Sequence, residues 1–268
     1  MRDQIQYQHI DANSDLILSE GTYANFAFKP HYHLDYHIGM VVKGVQRQQF
    51  RGRSVLLGPG RISIMPPGEV HDGSAYQQDA YQMRTFRIAP TLLDSYLCEL
   101  QGCDNEISFA GAMLEHPQLA GRLDQLFASL QHTRQTTLSS ETAWFNLFEP
   151  LFAELKAVKP ATISGGLSQT QMRSIREFCE ANLASKISLM QLASLCGLSR
   201  FQLLRRFERT VGLTPHNWLT LLRLERACLL LKRATLTLAQ VAIEVGFYDQ
   251  SHFVRTFRQY YGIAPSKY

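Results

Sequence analysis

The sequence predicts an α+β protein, with an N-terminal β-barrel, a helical extension and an all-α C-terminal domain. Residues 20–90 carry short apolar runs between Gly- and Pro-rich turns, a pattern typical of barrels built from short strands. Residues 117–155 carry apolar side chains at spacings of three and four, which is the helical period. After a Pro-, Gly- and Ser-containing linker at 159–168, the helical period continues to the end. We therefore expect two domains, at 1–158 and 169–268.

Composition and charge narrow the function classes. No apolar run approaches the roughly 20 residues that span a bilayer, and the N-terminus lacks an apolar signal segment, so we expect a cytoplasmic protein without a membrane partner. Residues 169–268 contain 14 Lys and Arg against 6 Asp and Glu, whereas residues 1–168 contain 13 against 17. A basic end on an acidic body indicates that the C-terminal domain binds a polyanion.

The N-terminal part is predicted to form strands followed by two amphipathic helices. Apolar runs that begin at Ile38, Ser54 and Ile62 are interpreted as strands. The helices are expected at 118–131 and 140–156, and the second is apolar over more than one face. Docking on the barrel explains both helices, but the sequence leaves open an additional contact between two copies in a homodimer.

An internal repeat dominates the C-terminal domain. Its matched positions are Ala193, Gly197, Leu198, Leu203, Arg205, Phe207, Gly212 and Pro215 in the first copy, and Ala242, Gly246, Phe247, Phe253, Arg255, Phe257, Gly262 and Pro265 in the second. The offset is 49 residues before the turn and 50 after it, so the second turn has one additional residue. A small residue at a helix crossing, a Gly that ends the first helix and an N-cap at Ser199 or Asp249 together predict two helix-turn-helix units.

The second helix of a helix-turn-helix unit enters the major groove, so its exposed side chains are the DNA-binding candidates. They are Arg200, Phe201, Gln202, Leu204, Arg205 and Arg206 in the first unit, and Gln250, Ser251, His252, Val254 and Arg255 in the second. Arg pairs with guanine, Gln with adenine, and apolar side chains contact the thymine methyl group. For any single Arg, a phosphate contact is an equally good interpretation.

The segment between the units is expected to be a rigid spacer. Residues 215–233 predict about 19 helical residues, or roughly 28 Å, with Trp218, Leu221, Leu222, Leu229 and Leu230 mostly in the core. Such a spacer can hold both recognition helices in successive major grooves, about 34 Å apart on one face of the DNA. One chain can then read a two-part site.

Residues 170–268 resemble the DNA-binding domain of the AraC/XylS family of bacterial transcription regulators. The resemblance is carried by residues 193–199, 203–207, 212–215, 223–227, 242–247, 253–257 and 262–268. It implies a regulator of double-stranded DNA at the nucleoid, usually an activator that contacts RNA polymerase. Leu204 departs from the family pattern, in which a polar residue is common.

The N-terminal part resembles the cupin-like effector domain of the same family. The resemblance is carried by residues 29–39 and 66–71 and extends over 20–155. It implies a barrel that binds a small-molecule effector. The effector-binding candidates are His31, His33, Tyr36, His37, Glu69, His71 and Arg84, with Phe26 and Arg87 as further pocket residues.

Four of these residues are also candidate metal ligands. On one strand, His31, His33 and His37 would face the same side, and His71 follows a Pro-Gly turn. Metal-binding cupins use a His-x-His pair, a carboxylate and a later His, and here His37 takes the place of the carboxylate. Four imidazoles suit Zn, Ni, Cu or Fe, but we favour histidines satisfied within the barrel, with no cofactor required.

The sequence is therefore consistent with three functions. The leading one is a transcription regulator that responds to an effector. The alternative is a cupin metalloenzyme or metal sensor fused to a DNA-binding module, against which the missing carboxylate and the lack of a catalytic constellation argue. The third is a protein that binds DNA without any effector.

Overall fold

The computed structural model describes residues 3–10, 15–50, 52–94, 111–132, 151, 164–233 and 235–268. The chain divides into two compact units, Met1–Pro160 and Ala161–Tyr268. The linker expected at 159–168 lies partly outside the described residues. Within the described ranges, no helix is both long enough and apolar enough to cross a membrane.

The N-terminal unit contains two antiparallel sheets. The strands are β1 (Gln4–His9), β2 (Leu16–Tyr23), β3 (Phe28–His31), β4 (Tyr36–Lys43), β5 (Gln46–Phe50), β6 (Arg53–Leu57), β7 (Arg61–Met65), β8 (His71–Ala75), β9 (Tyr81–Ile88) and β10 (Ala112–Glu115). Six strands form one sheet in the order β1-β2-β9-β4-β7-β10, and four form the other in the order β3-β8-β5-β6. Over the described residues, the expected cupin-like barrel thus takes the form of two separate sheets.

Polar side chains join the inner faces of the two sheets. Ser63 on β7 donates a hydrogen bond to the Oε1 atom of Gln48 on β5 at 2.9 Å. Gln46, also on β5, donates from Nε2 to the hydroxyl of Tyr81 on β9 at 3.0 Å. Both bonds are buried, so the space between the sheets is lined in part by polar groups.

The outer face of the six-stranded sheet carries helix α1 (Pro117–His132). The side chains of α1 that share a core with this sheet are Leu119, Ala120, Leu123, Leu126, Phe127 and Leu130. The rings of Phe86 on β9 and Phe127 meet edge to face, with centroids 5.5 Å apart. The apolar stripe of α1 is therefore used in docking on its own sheet, which confirms that interpretation for the first predicted helix.

Some elements of this unit were not predicted. β1 lies at the edge of its sheet and alternates exposed Gln side chains with the partly buried Ile5, Tyr7 and His9. Ile5 is the only aliphatic one among them, so the apolar alternation by which strands are recognised is weak. The first half of β2 and all of β10 also lie outside the range assigned to strands. The helix predicted at 140–156 lies outside the described residues except for Leu151, which is helical and buried in the same core as α1.

The C-terminal unit is helical throughout its regular elements. Its helices are α2 (Gln169–Ala181), α3 (Leu189–Leu195), α4 (Arg200–Val211), α5 (Pro215–Arg233), α6 (Leu238–Glu244) and α7 (Gln250–Tyr261). The predicted N-caps are confirmed, because the side chain of Ser199 accepts from the backbone N–H of Gln202, and that of Asp249 accepts from His252. The pairs α3–α4 and α6–α7 are the two helix-turn-helix units.

Helix α5 has the predicted bounds and lies largely in the core. Trp218, Leu221 and Leu222 are buried as expected. The prediction for Leu229 is wrong, because this side chain remains 44% exposed. The helix also contains the buried Glu225, whose Oε1 accepts a hydrogen bond from the Tyr261 hydroxyl of α7 at 2.6 Å. This buried bond ties the spacer helix to the second recognition helix.

Candidate functional site

The recognition helices α4 and α7 present the same surface at an offset of 50 residues. From 201 to 210 and from 251 to 260, the buried, intermediate and exposed positions follow one another in identical order. Leu203 and Phe207 of α4, like Phe253 and Phe257 of α7, are fully buried. These buried pairs are one helical turn apart, so they orient the remaining side chains of each helix in the same way.

The predicted DNA-binding residues fall into two groups by exposure. Those exposed to solvent are Arg200, Phe201, Gln202 and Arg205 on α4, and Gln250, Ser251, His252 and Arg255 on α7. Those of intermediate exposure are Leu204 and Arg206 on α4 and Val254 on α7. Phe201 is the most notable, because a large apolar side chain with 74% of its surface exposed lies at the start of a recognition helix.

Two of these side chains also have structural roles. The Oε1 atom of Gln202 accepts a hydrogen bond from the backbone N–H of Ser199 at 3.0 Å, which completes a capping box. The ring of His252 packs edge-on against Phe247 with centroids 5.2 Å apart. Part of the hydrogen-bonding and contact capacity of Gln202 and His252 is therefore used within their own units.

The additional residue of the second turn is Tyr248, which the residue-by-residue prediction omitted. It lies between Phe247, which is buried, and the N-cap Asp249, and 92% of its surface is exposed. The offset between the two copies changes from 49 to 50 at this point. That insertion was the signal that marked the position.

The predicted histidines converge in the N-terminal unit, although by a different route from the one expected. The prediction that residues 31 to 37 form one strand is wrong, because β3 ends at His31 and β4 begins at Tyr36. His31 faces His71 as a cross-strand pair between β3 and β8. His33 lies in the connection between the sheets, and its carbonyl oxygen accepts from the backbone N–H of Gly68 at 2.8 Å.

Three of the four imidazoles form a compact set. One ring nitrogen from each of His31, His33 and His71 can be chosen so that all three lie within 4.8 Å of one another. His37 is not a member of this set. Instead its ring stacks on that of His33, with centroids 3.6 Å apart and 16° between the planes.

Two of these rings are oriented by backbone carbonyls. The Nδ1 atom of His31 lies 2.7 Å from the carbonyl oxygen of Lys29, and that of His71 lies 2.9 Å from the carbonyl oxygen of Glu69. Since a carbonyl only accepts, both Nδ1 atoms carry the proton, and the ring lone pair resides on Nε2. Glu69 thus contributes to the predicted site through its backbone.

Burial disfavours the charged form of three of these imidazoles. Burial lowers the pKa of His33 and of His37 well below the ordinary histidine value, and the neighbouring Arg87 guanidinium lowers the pKa of both further. The pKa of His71 is also lowered by burial. Neutral imidazoles act as lone-pair donors, so the cluster suits a hydrogen-bond donor or a metal ion.

The structure does not bring Tyr36 and Arg84 to this cluster. Both lie at positions that face the outer side of the six-stranded sheet, because side chains alternate along β4 and β9. Tyr36 is buried in the core shared with α1. Arg84 forms ion pairs with Glu20 and Asp124, both at 2.7 Å, and its guanidinium lies over the Phe127 ring.

On β9, Arg87 points to the opposite side of the sheet from Arg84 and does face the cluster. Its side chain is 2% exposed and donates to the Oδ2 atom of Asp35 at 3.0 Å. Phe26, the other additional pocket candidate, packs instead in an aromatic group with Tyr23 and Phe28. Phe28 stacks in turn near His31, with centroids 5.6 Å apart.

Two of the buried polar side-chain atoms that have no hydrogen-bond partner among the described residues lie on opposite inner faces. These two are the Nε2 atom of His37 and the Oε1 atom of Gln46. Leaving a buried donor or acceptor unsatisfied costs about 1–3 kcal/mol. Such atoms in native proteins are candidates for contact with a ligand or an ordered water.

Both units match known protein families. Residues 13–148 match the family described as AraC-like ligand binding domain, and residues 192–268 match the family described as helix-turn-helix domain. The first match covers half of the chain by itself.

Individual relatives agree with this assignment. An uncharacterised helix-turn-helix transcriptional regulator of Bacillus subtilis, YbfI, is 25% identical over 84% of this chain and 81% of its own length. The arabinose operon regulatory protein of Escherichia coli is 25% identical over 97% of this chain and 89% of its own length.

A solved structure has the same overall fold. Wild-type ToxT from Vibrio cholerae, crystallised with a bound unsaturated fatty acid, matches over 94% of both chains with a TM-score of 0.66 and 16% identity. With an effector-binding domain and two helix-turn-helix units in this order, the chain belongs to the AraC family of transcription regulators.

Proposed function

We propose that the chain is a transcription activator that reads two adjacent major-groove segments and responds to a small effector bound between its N-terminal sheets. The observation that supports the DNA-binding part is the repeated exposure pattern of α4 and α7. A single repeated surface with cationic side chains suits the repeated groove of one DNA duplex. The net charge of +8 over residues 169–268 supplies the attraction to phosphates.

Within that surface, Arg205 and Arg255 are the proposed base-reading pair. They occupy equivalent positions on α4 and α7 and are both exposed. Leu204 and Val254, which precede them, are suited to contact thymine methyl groups. We place Tyr248 against the DNA backbone, because its hydroxyl can donate to a phosphate from the inserted turn.

Replacing either Arg by Ala should weaken specific DNA binding by about 1–3 kcal/mol. The measurement is fluorescence anisotropy of the full chain on a DNA site obtained by selection from a random pool, at one fixed salt concentration. The control is Arg122→Ala, which removes an exposed helical Arg from α1 in the other unit. Its affinity should equal that of the wild type.

The same titration separates base reading from phosphate contact. If Arg205 reads a base, Arg205→Ala relaxes the preference at one position of the site, whereas loss of a phosphate contact weakens all sequences alike and lowers the salt slope by about one. Wild-type affinity in both Arg variants would remove the assignment of these residues. Failure of the wild type to select any DNA sequence would contradict the DNA-reading function itself.

For the effector site, the proposal rests on the two unpartnered buried atoms. His37 Nε2 and Gln46 Oε1 belong to opposite sheets and both lie on inner faces. A small polar molecule between the sheets would satisfy both and would be surrounded by His31, His33 and His71, with Glu69 contributing its backbone. Tyr36 and Arg84 are not part of the proposed site.

A thermal-shift screen of the full chain against a panel of metabolites tests this site. An effector that binds only the native state raises the melting temperature. Gln46→Leu and His37→Phe should abolish that shift, because each removes one of the unpartnered atoms. Arg47→Ala is the matched control, since Arg47 is next to Gln46 on β5 and is exposed. An undiminished shift in both Gln46→Leu and His37→Phe would contradict the proposed site.

Several finer features follow from family membership alone. We propose that activation involves contact with RNA polymerase and that the protein acts at the nucleoid in the bacterial cytoplasm. We also propose that the protein is not an enzyme, so that its ligand is released chemically unchanged. A homodimer would need a surface other than the apolar stripe of α1, because that stripe is buried in its own unit.

A further inference from the structure

The geometry points to a binding site for a divalent transition-metal ion in the N-terminal unit, with His31, His33 and His71 as its three protein ligands. The inference deepens the proposed function, because it names a chemical class for what the N-terminal unit binds. Metal binding is measured without DNA, so its failure is distinguishable from failure of the proposed regulation.

The first support is the way in which the backbone assembles the three rings. His31 and His71 are directly opposed across β3 and β8, which holds their Cβ atoms about 5 Å apart. The carbonyl of His33 is tied to the N–H of Gly68, in the turn that precedes β8. All three ligands are thus fixed by two neighbouring strands and one hydrogen-bonded connection.

The second support is the separation of the nitrogen atoms. The three candidate ligand atoms lie within 4.8 Å of one another. Two nitrogens that are each about 2.1 Å from one tetrahedral ion lie about 3.4 Å apart. The three nitrogens would therefore have to move closer together by up to about 1.4 Å to share an ion.

The third support is the second layer of hydrogen bonds. A histidine that ligates a metal almost always donates its other ring N–H to a carboxylate, carbonyl or water. His31 and His71 both have this arrangement, through the carbonyl oxygens of Lys29 and Glu69. It fixes each tautomer with the lone pair on Nε2 and reduces the rotamer freedom that would be lost on binding.

Charges of both signs act on the three rings. Arg87, which acts on His33, is paired with Asp35 at 3.0 Å, and the carboxylates of Glu69 and Asp72 act on His71. His37 stacks on His33 and supports its ring. We assign His37 and the Arg87–Asp35 pair as positioning groups that do not coordinate the ion.

The chemistry of the donor set defines the class of metal. Imidazole suits Zn, Cu, Fe and Ni, whereas Mg and Ca prefer oxygen ligands. Three protein ligands leave the fourth position of a tetrahedral ion for water or for a donor atom of an effector. Zn²⁺ is the probe for the test, and Mg²⁺ is the negative control.

The full chain, purified without a His tag and stripped with a chelator, is titrated with Zn²⁺ in competition with a chromophoric chelator. We expect one equivalent of Zn²⁺ per chain and no competition by millimolar Mg²⁺. Since substitutions in the second layer alone cost about 10–100-fold in metal affinity, His31→Gln, His33→Gln and His71→Gln should each lower the affinity at least about tenfold. His216→Gln, which removes an exposed histidine of α5, should leave it unchanged.

Two further measurements protect the test against misfolded variants. The thermal unfolding of each metal-free variant establishes that it folds. The visible absorption spectrum of the Co²⁺-loaded wild type reports coordination without any substitution, and a tetrahedral spectrum is expected. The proposal is overturned if the wild type binds no stoichiometric Zn²⁺, if folded Gln variants bind as tightly as the wild type, or if the Co²⁺ spectrum is that of the hydrated ion.

Discussion

Gly197 and Gly246 occupy equivalent positions in the two turns but meet different surroundings. Both have left-handed backbone, with φ of 64° and 84°. A Cβ atom added at Gly197 would meet no heavy atom within 4 Å, whereas one at Gly246 would overlap the carbonyl oxygen of Leu183 and approach the Arg223 guanidinium. The second turn is therefore packed against the rest of its unit, and the first is open.

Substituting these glycines by Ala should give unequal losses of stability. Gly197→Ala carries only the left-handed backbone penalty, about 1–2 kcal/mol. Gly246→Ala adds overpacking, which costs about a further 1–3 kcal/mol. Differential scanning calorimetry of the full chain measures both in one background. Equal melting temperatures for the two variants would show that the close approach at Gly246 contributes nothing.

For individual residues, the sequence predicted which side chains come together but not always which face of the sheet they occupy. Three of the four histidines singled out by their spacing come together, namely His31, His33 and His71, although the single strand expected to align them is not formed. Tyr36 and Arg84 lie away from this cluster because one step along a strand exchanges the inner face for the outer one. Arg84 also finds carboxylates on β2 and α1, and such partners are distant in sequence and carry no local signal.

Among the elements, helix α5 joins the two helix-turn-helix units. Its side chains contact both neighbours. The Phe207 ring of α4 packs edge-on against Trp218 at 5.6 Å, and Glu225 accepts from Tyr261 of α7. Because α5 is continuous and largely buried, it fixes the position of one recognition helix relative to the other.

Truncation of α5 should be costly on its buried face and nearly neutral on its exposed face. Leu222 is fully buried and Leu229 is 44% exposed. Leu222→Ala is expected to destabilise the unit by about 2–5 kcal/mol, and Leu229→Ala by no more than about 0.5 kcal/mol. Thermal unfolding of the full chain compares them, and a comparable loss in both would mean that Leu229 is covered by another surface in solution.

Elements with a strong local pattern were predicted accurately, and edge elements were not. The repeat located α4 and α7 because capping residues, glycines and i, i+4 apolar pairs all indicate the same bounds, and the segment between the two copies is α5. β1 and β10 lie at the two edges of their sheet. β10 pairs with β7, which is far away in sequence. β1 pairs with the next strand, β2, but its only aliphatic side chain is Ile5, so its apolar alternation is weak.

The whole molecule separates two tasks between two units. The unit that contains the histidine cluster carries net negative charge, and the unit that contains α4 and α7 carries +8. An effector changes DNA binding only to the extent that it binds the DNA-competent state more tightly. The two-part recognition of DNA is the property that such an effector would control.

Hydroxyl-radical footprinting of the full chain on its selected DNA site tests this two-part recognition most directly. We expect two protected segments on one face of the duplex, about 10 base pairs apart. Arg205→Ala should weaken protection of one segment, and Arg255→Ala that of the other. One protected segment, or loss of the same segment in both variants, would contradict the claim that a single chain reads two adjacent grooves.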